Sequence, residues 1–264
     1  MHRVTPATVR SAIIAVALLL WELLPRLGLV PELFLPPLSR TLHIAFVDRT
    51  EYAAALLVTL GEVAVGMLFA CVGGVLAGAL VGGVPALRSF LLPVFSSLYA
   101  VPIVLLYPIL VVWLGIGPNS KIAFASIYGF FPTMLATAAG ARSIDPALLL
   151  TARSMGAGPF QQVTRVILPA SIPTVLAGLR LGGVLVIVGV VVSEMLTSTD
   201  GIGYLVTRYR TILDSAHVFA AVLLVLALTL AFDGLMRLLE WRLSAWRTAS
   251  GSPRRQAALG GAPG

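Results

Sequence analysis

Cysteine, lysine and histidine are rare in this sequence. Among its 264 residues there are one cysteine and three histidines, and Lys121 is the only lysine. The single cysteine, Cys71, excludes an internal disulfide and a cysteine-based metal framework. The histidines lie far apart, and none stands in a His-Glu-x-x-His spacing, so a metal site is not expected. They are His2, His43 and His217.

Short motifs of enzymes are missing as well. Lys121 lacks the preceding glycines of a phosphate-binding loop, and no Gly-x-Ser-x-Gly turn is present. Because no combination of nucleophile and base stands out, we expect neither catalytic residues nor a cofactor bound by this chain itself. Any energy that the protein uses must then come from a partner ATPase or from an ion gradient.

Charged residues are the third scarcity. They make up 11% of the chain, whereas hydrophobic residues make up 58% and the mean hydropathy is +0.99. Soluble domains carry about 25% charged residues, so a chain of this composition needs the bilayer as its solvent. The net charge of +7 is scattered between apolar segments, and nucleic acid is therefore not an expected partner.

Apolar stretches long enough to span a bilayer, about 20 residues each, recur along the chain. They predict an all-α integral membrane protein with about six transmembrane helices. The predicted spans are residues 11–30, 53–81, 90–114, 122–139, 174–196 and 216–235. Three prolines, Pro93, Pro102 and Pro108, predict kinks in the third span.

Basic residues predict the orientation, since cytoplasmic loops carry an excess of arginine and lysine. With the N-terminus inside, the inner segments hold twelve basic residues and the outer segments hold six. Both termini and the loop 140–173 are therefore expected in the cytoplasm.

The chain divides into four parts. Residues 1–30 form an N-terminal transmembrane helix, which we expect to remain uncleaved because no small-residue cleavage pattern follows it. Residues 31–52 form an extracytoplasmic connector, and residues 53–246 form a core with the other five helices. Residues 247–264, rich in Ala, Gly, Ser and Pro, are expected to be a disordered cytoplasmic tail.

The loop 140–173 is too polar to span the membrane but contains clear helix signals. Pro146 fits the first position of a helix and Gly156 fits its C-terminal cap, which predicts a short helix from Pro146 to Met155. A second short helix is expected to start at Pro159 and to end before the proline at position 169.

Polar residues are concentrated in that loop, whereas the middle of the predicted spans is almost purely aliphatic residues and glycine. Ion-coupled carriers place several polar groups at the midplane on broken helices, so ion coupling is weakly supported. Two short helices braced by glycine and proline suggest a rigid platform that docks a partner.

Two carboxylates lie inside the predicted spans, and intramembrane acids are candidates for function because their insertion is costly. Glu62 lies one turn from Gly66, and we expect it to make a buried hydrogen bond with a neighbouring helix. Glu194 lies near the outer end of the fifth span, where a water-filled mouth could solvate it. A structural role and a role in a substrate path are the alternatives for both.

Small residues recur every four positions in the second span. Such a stripe allows the backbones of two membrane helices to approach closely. Its members are Gly66, Ala70, Gly74, Gly78 and Gly82.

The cytoplasmic loop carries a family pattern. Its residues are Thr151-Ala152-Arg153-Ser154-Met155-Gly156-Ala157, then Phe160, Val163, Ile167-Leu168-Pro169-Ala170, Ile172-Pro173 and Gly178-Leu179-Arg180. This pattern resembles the coupling motif of ABC-importer permeases. Leu150 stands where the motif usually has a glutamate, so the contact made here should be more apolar.

Other segments extend the resemblance to about residues 30–246. They are Leu35-Pro36-Pro37-Leu38-Ser39, Val101-Pro102, Leu106-Tyr107-Pro108, Trp113-Leu114-Gly115-Ile116-Gly117, Ser120-Lys121, Ser193-Glu194 and Gly201-Ile202-Gly203-Tyr204. Together they are similar to the nitrate/sulfonate/taurine branch of bacterial permeases, although Ile103 stands where that branch often has a lysine.

The resemblance implies a type I importer in the bacterial inner membrane. Such an importer has two permease subunits, here expected to be a homodimer surrounded by lipid, and two cytoplasmic ABC ATPase subunits that bind the ATP. An extracytoplasmic solute-binding protein delivers the solute, which the branch suggests is a sulfonate-, nitrate- or taurine-like anion or a vitamin precursor. An ion-coupled secondary transporter or a channel is the main alternative, and an intramembrane enzyme is the third.

Site residues follow from the same resemblance. The residues expected to couple to the ATPase are Leu150, Thr151, Ala152, Arg153, Met155, Gly156 and Ala157, with Leu168, Pro169 and Pro173 as anchors of the loop. The third and fifth spans would line the translocation path, for which the candidates are Tyr99, Pro102 and Glu194. The residues expected to pack helices are Glu62, Gly66, Gly74 and Gly78.

Overall fold

Helices make up nearly all of the computed structural model, which describes residues 6–142, 144 and 146–248, with only the backbone described at 6, 7, 146, 168 and 243–248. The helices are α1 (Pro6–Arg26), α2 (Leu38–Val47), α3 (Arg49–Gly83), α4 (Pro85–Ala100), α5 (Tyr107–Leu114), α6 (Pro118–Arg142), α7 (Pro146–Ser154), α8 (Pro159–Gln162), α9 (Leu168–Thr197), α10 (Ile202–Thr211) and α11 (Ser215–Thr248). The predicted tail lies outside the described residues, except for 247 and 248, which continue α11.

Five helices are long and apolar enough to cross a membrane: α1, α3, α6, α9 and α11. Helices α4 and α5 form a bent pair that provides a sixth span if the pair crosses as one. The all-α membrane fold with about six spans is therefore confirmed.

The third span differs from the kinked helix that was predicted. Pro93 lies inside α4 and Pro108 lies in the first turn of α5, but the helix stops at Ala100. Val101, the residue before Pro102, is extended, with φ −72° and ψ 136°. A residue before proline avoids the helical conformation, so Pro102 produces a break, which a short 3₁₀ turn over Ile103–Leu106 follows.

The connectors contain more helix than the sequence predicted. Helix α2 lies within the connector 31–52, and α10 lies in the loop between the last two spans. The helix that starts at Pro159 has only four residues and leads through a π turn into α9. Helix α9 starts at Leu168, earlier than the predicted residue 174, because Pro169 occupies its first turn, where a missing N–H costs nothing.

The chain forms two compact units. Unit 1 contains residues 1–67, 104–126 and 186–228, and unit 2 contains residues 68–103, 127–185 and 229–264. Each unit has its own packing.

Helix α10 is central to the core of unit 1. Its buried residues Ile202, Leu205, Val206 and Tyr209 recur with the period of one helix face. They pack against Tyr52 and Ala55 of α3 and against Ala220 and Ala221 of α11. The spacing of these residues could have predicted the helix. The polar residues between them led to the prediction of a loop instead.

The small-residue stripe of α3 contacts neighbouring helices inside each unit. In unit 1, a Cβ added to Gly66 would lie 3.3 Å from the side chain of Val186. In unit 2, a Cβ added to Gly74 would lie 2.8 Å from the side chain of Thr133, and one added to Gly78 would collide with the carbonyl oxygen of Met134. The glycines therefore allow α3 to approach α9 and α6 at backbone distance.

A buried ion pair joins α3 to α6 in unit 1. Glu62 is 5% exposed and Lys121 is 3% exposed, and the Lys121 ammonium contacts a Glu62 carboxylate oxygen. Lys121 precedes the predicted fourth span, 122–139, but it lies inside α6, which begins at Pro118. A carboxylate inside a span needs a cation close by, and Glu62 pairs with the only lysine of the chain.

We expect Gly74→Leu to destabilise the protein by about 1–3 kcal/mol, because the new side chain would overpack the contact with Thr133. The apparent Tm of the purified protein in detergent measures the effect. Gly61→Leu is the matched control, because it lies on the same helix and an added Cβ meets nothing within 4 Å. Equal Tm values for the two variants would show that the contact does not hold α3 to α6.

We expect Lys121→Met to cost about 3–5 kcal/mol of stability, because it leaves the Glu62 carboxylate buried without its partner. The double variant Lys121→Met with Glu62→Leu should recover most of that loss in thermal unfolding, since it removes both charges. An equally unstable double variant would contradict the ion-pair explanation.

Candidate functional site

The first candidate is the segment of unit 2 that contains α7 and α8. Helix α7 ends in a Schellman motif: the Gly156 N–H donates to the Arg153 carbonyl at 2.9 Å, and the Ala157 N–H donates to the Ala152 carbonyl at 3.0 Å. Gly156 has φ +79°, a conformation that glycine adopts at little cost. The predicted C-cap therefore has the expected geometry, and α7 is one residue shorter than predicted.

Polar side chains brace α7 against α8. Arg153 Nε donates to Gln162 Oε1 at 3.3 Å, and Gln162 Nε2 donates to the Ala157 carbonyl at 2.8 Å. The Gly158 N–H donates to Gln161 Oε1 at 3.3 Å and so caps α8. These contacts give the two short helices a fixed geometry.

Large apolar side chains on this segment are exposed. Leu150 is 67% exposed, Met155 is 82% exposed and Phe160 is 79% exposed. Thr151 and Arg153 are also exposed, while Ala152 and Ala157 are partly buried. Leu150 and Met155 are predicted coupling residues, and Phe160 belongs to the family pattern of the same loop. Grouped apolar side chains on a surface are typical of an interaction site.

The base of the segment is apolar. Ala141, Ile144 and Ile167 form a buried cluster against which Leu149 and Val163 pack. Sequence reasoning missed this cluster, although isoleucines within a polar stretch were a visible signal. Of the predicted anchors, Pro169 and Pro173 are exposed on α9, and the side chain of Leu168 lies outside the described residues.

Two candidates for the translocation path lie in unit 2. The Tyr99 ring stacks on Phe131 of α6, with ring centroids 6.0 Å apart, and remains partly exposed. Pro102 is exposed at the break after α4. Their part in a path stays a prediction.

The third path candidate, Glu194 of α9, lies in a buried polar cluster of unit 1. It is 1% exposed, so the expectation that a water-filled mouth solvates its carboxyl is wrong. The Thr59 hydroxyl donates to Oε1 at 2.7 Å, and the Gly203 N–H donates to Oε2 at 2.8 Å. The Thr59 hydroxyl oxygen in turn accepts the Ile202 N–H at 3.0 Å.

Further polar contacts hold the end of α9 and the turn that follows it. The Lys121 ammonium donates to the Ser198 hydroxyl at 3.1 Å, and the hydroxyls of Tyr107 and Thr197 lie 2.6 Å apart. Sequence reasoning missed Thr59, although a polar side chain within an apolar run was a visible signal. It quoted Tyr107 and Lys121 only as part of the family pattern and gave them no role.

A second titratable cluster of unit 1 surrounds His217. Its imidazole lies 3.1 Å from Asp48 and 2.8 Å from Asp214, and it stacks on the ring of Tyr209. Burial, together with the carboxylate of Glu51, raises the pKa of Tyr209 to about 12. Burial alone would raise the pKa of Asp214, but hydrogen bonds from His217 outweigh it and hold that pKa below its usual value.

The described part of the chain contains no group of three or more His, Cys, Asp or Glu side chains that could hold a metal ion. The arrangement provides exposed apolar side chains on the segment α7–α8 of unit 2 and a hydrogen-bonded polar cluster around Glu194 in unit 1.

Comparison with known proteins agrees with this geometry. The model of the family described as "Binding-protein-dependent transport system inner membrane component" matches residues 71–245. The putative aliphatic sulfonates transport permease protein of Bacillus subtilis is 30% identical over 89% of this chain and 86% of its own length. The taurine transport system permease protein of Escherichia coli is 30% identical over 90% of each chain.

Solved structures support the fold. An inward-facing structure of the MetNI methionine ABC transporter matches with a TM-score of 0.64 and 19% identity, over 74% of this chain and 97% of that one. At that identity the likeness concerns the fold alone. The family match and the two permease relatives show that this chain belongs to the binding-protein-dependent transport system inner membrane components and is a multi-pass permease subunit of an ABC importer.

Proposed function

We propose that α7 and α8 are the surface on which a cytoplasmic ABC ATPase docks, and that this ATPase binds and hydrolyses the ATP that drives import through the permease. The observation that carries the proposal is the exposure of Leu150, Met155 and Phe160 on a segment that is otherwise rigidly braced. A fixed segment with apolar side chains in solvent fits a partner that covers them. The permease needs no cofactor of its own in this scheme.

Leu150 makes the proposed docking surface more apolar. The related motif usually has a glutamate at this position, whereas here an exposed leucine extends the apolar surface. Contact with the ATPase would bury the leucine, and a charge introduced at that point would be buried without a partner.

Coupling then follows from differential binding. When ATP closes the ATPase dimer, the groove that holds α7 moves, and the conformation of the permease that fits the closed dimer gains population. Because Arg153 and Gln162 brace α7 against α8, the two helices would move together and pull on α9, which follows them in the chain.

The remaining partners belong to the same proposal. A second copy of this chain completes the translocation path, and an extracytoplasmic solute-binding protein delivers the solute. Both chain termini lie in the cytoplasm, with α2 and α10 on the outer side. The bias in basic residues supports this orientation.

For the solute we propose a small organic anion of the sulfonate or taurine type. The support is that the relatives named for aliphatic sulfonates and taurine are 30% identical over about nine-tenths of the chain. The formylaminopyrimidine transport permease protein of Halalkalibacterium halodurans is 27% identical over 87% of the chain, which keeps a vitamin precursor as the second candidate.

The orientation can be tested by cysteine labelling in a Cys71→Ala background. We expect a cysteine at Ser198 to react with a membrane-impermeant thiol reagent in intact cells, and a cysteine at Gln161 to react only after the cells are opened. Labelling of position 161 in intact cells would overturn the orientation.

The docking surface can be tested by co-purification of the ATPase with tagged permease. We expect Leu150→Asp to reduce the recovered ATPase about tenfold or more, because an unpaired carboxylate would be buried in the contact. Gly156→Val should act similarly, because its φ of +79° strains any β-branched residue. Both variants should insert into the membrane as well as the wild type does.

The matched control is Ile116→Asp, which places the same charge on an equally exposed residue, 74% exposed, in the turn before α6. It should leave ATPase recovery unchanged. Normal recovery and transport in both Leu150→Asp and Gly156→Val would overturn the docking surface. Solute transport driven by an ion gradient without any ATPase would favour a secondary transporter instead.

A further inference from the structure

We propose that Glu194 and Thr59 are positioning residues of import, which fix helix α10 in the orientation that receives the solute-binding protein. The proposal rests on the proposed function, since it assumes that such a binding protein docks on the outer side. It replaces the expectation that Glu194 lines the solute path.

The first support is the way in which α10 begins. The N-cap residue of α10 is Gly201, which has no side chain to satisfy the free N–H groups of the first turn. The Ile202 N–H donates instead to the Thr59 hydroxyl of α3, and the Gly203 N–H donates to the Glu194 carboxylate of α9. Two other helices thus supply the cap of α10.

The cap is also internally connected. The Thr59 hydroxyl accepts from α10 and donates to Glu194 Oε1 at 2.7 Å, with the Ala55 carbonyl of its own helix as a more distant acceptor at 3.1 Å. Each carboxylate oxygen therefore has a donor, and the hydroxyl is used in both directions. A solute could reach this carboxylate only by displacing those bonds, which argues against a role in direct solute contact.

Close packing is the second support. Gly201 has φ +98°, and a Cβ added there would collide with the Glu194 carboxylate. A Cβ added to Gly203 would lie 2.7 Å from Glu194 Cβ and would collide with the Val191 carbonyl oxygen. The two glycines let the carboxylate reach the backbone of α10.

A separate contact fixes the turn before α10. Ser198 accepts from Lys121, which is held by its ion pair with Glu62, and the Ser198 hydroxyl donates to the Asp200 carbonyl at 2.7 Å. The turn and the first residues of α10 are therefore held by buried side chains from α3, α6 and α9.

Helix α10 itself is suited to presentation. It has ten residues, too few to span a bilayer, and its apolar face is covered by α3 and α11. Its other face carries the exposed residues Arg210 and Arg208, the second of which pairs with Glu51 of α3. This short helix is held rigidly at its first turn and has a polar outer face. A partner that binds it therefore loses little free energy to the ordering of the helix.

The experiment uses the assembled importer with its ATPase, reconstituted in nanodiscs, and the purified solute-binding protein as the probe. Two quantities are measured: the binding-protein concentration that half-saturates the stimulated ATP hydrolysis, and the maximal rate. We expect Glu194→Ala to raise the half-saturating concentration about tenfold, the scale of a lost helix cap, and to keep the maximal rate within about twofold.

The conservative variant separates capping from charge. In Glu194→Gln the amide oxygen can accept from Gly203 and the amide nitrogen can donate to Thr59, so we expect near wild-type half-saturation. Thr59→Val should lie between, since it removes the acceptor of Ile202, and Thr59→Ser should restore binding. Gly61→Ala, on the same helix with open space around it, is the control without effect.

Three results would overturn the proposal. If Glu194→Gln is as impaired as Glu194→Ala, the charge matters rather than the cap. If Glu194→Ala lowers the maximal rate at unchanged half-saturation, Glu194 acts in the path. If Glu194→Ala and Thr59→Val lower Tm and ATPase recovery together with all other readouts, the residues serve stability alone. Failure of the proposed function would show differently, as wild-type permease that recovers no ATPase.

Discussion

The bilayer core offers no water, so every polar group placed there must find its partner within the protein. Helices meet that requirement for the backbone, and the long helices of this chain are built from residues that add almost no further polar groups. Two of the exceptions are sets of partners: Glu62 with Lys121, and Glu194 with Thr59 and the first amides of α10. Because an unpaired member of either set would be costly, each set fixes which helices become neighbours.

Polar residues are concentrated at the ends of the spans, where they have two different roles. On the segment α7–α8, Arg153 and Gln162 bind each other and leave apolar side chains exposed. Around α10 the polar side chains point inward and satisfy the backbone, and the helix shows arginines to solvent. The surface of α7 and α8 thus fits a partner that covers apolar side chains. The surface of α10 fits a partner that makes polar, hydrated contacts.

Much of this fold could be predicted from the sequence, because hydropathy and proline signals act locally. Apolar length predicted the spans, and Gly156 predicted the end of α7 from the conformational freedom of a single residue. The partner of Glu62 could not be predicted, since Lys121 is 59 positions away and looks like part of an exposed turn. The cap of α10 was also out of reach, because it depends on three segments that meet only in the folded chain.

The burial of Lys121 has a practical consequence for the study of the assembled importer. It is the only lysine of the chain, and its side chain is 4% exposed and paired with Glu62. Reagents that acylate lysine amines will therefore find no accessible lysine on this subunit. In a cross-linking experiment with such reagents, the ATPase and the binding protein would react, but Lys121 of the permease would form almost no cross-links. Contacts of the permease are better mapped with carboxylate- or cysteine-directed reagents.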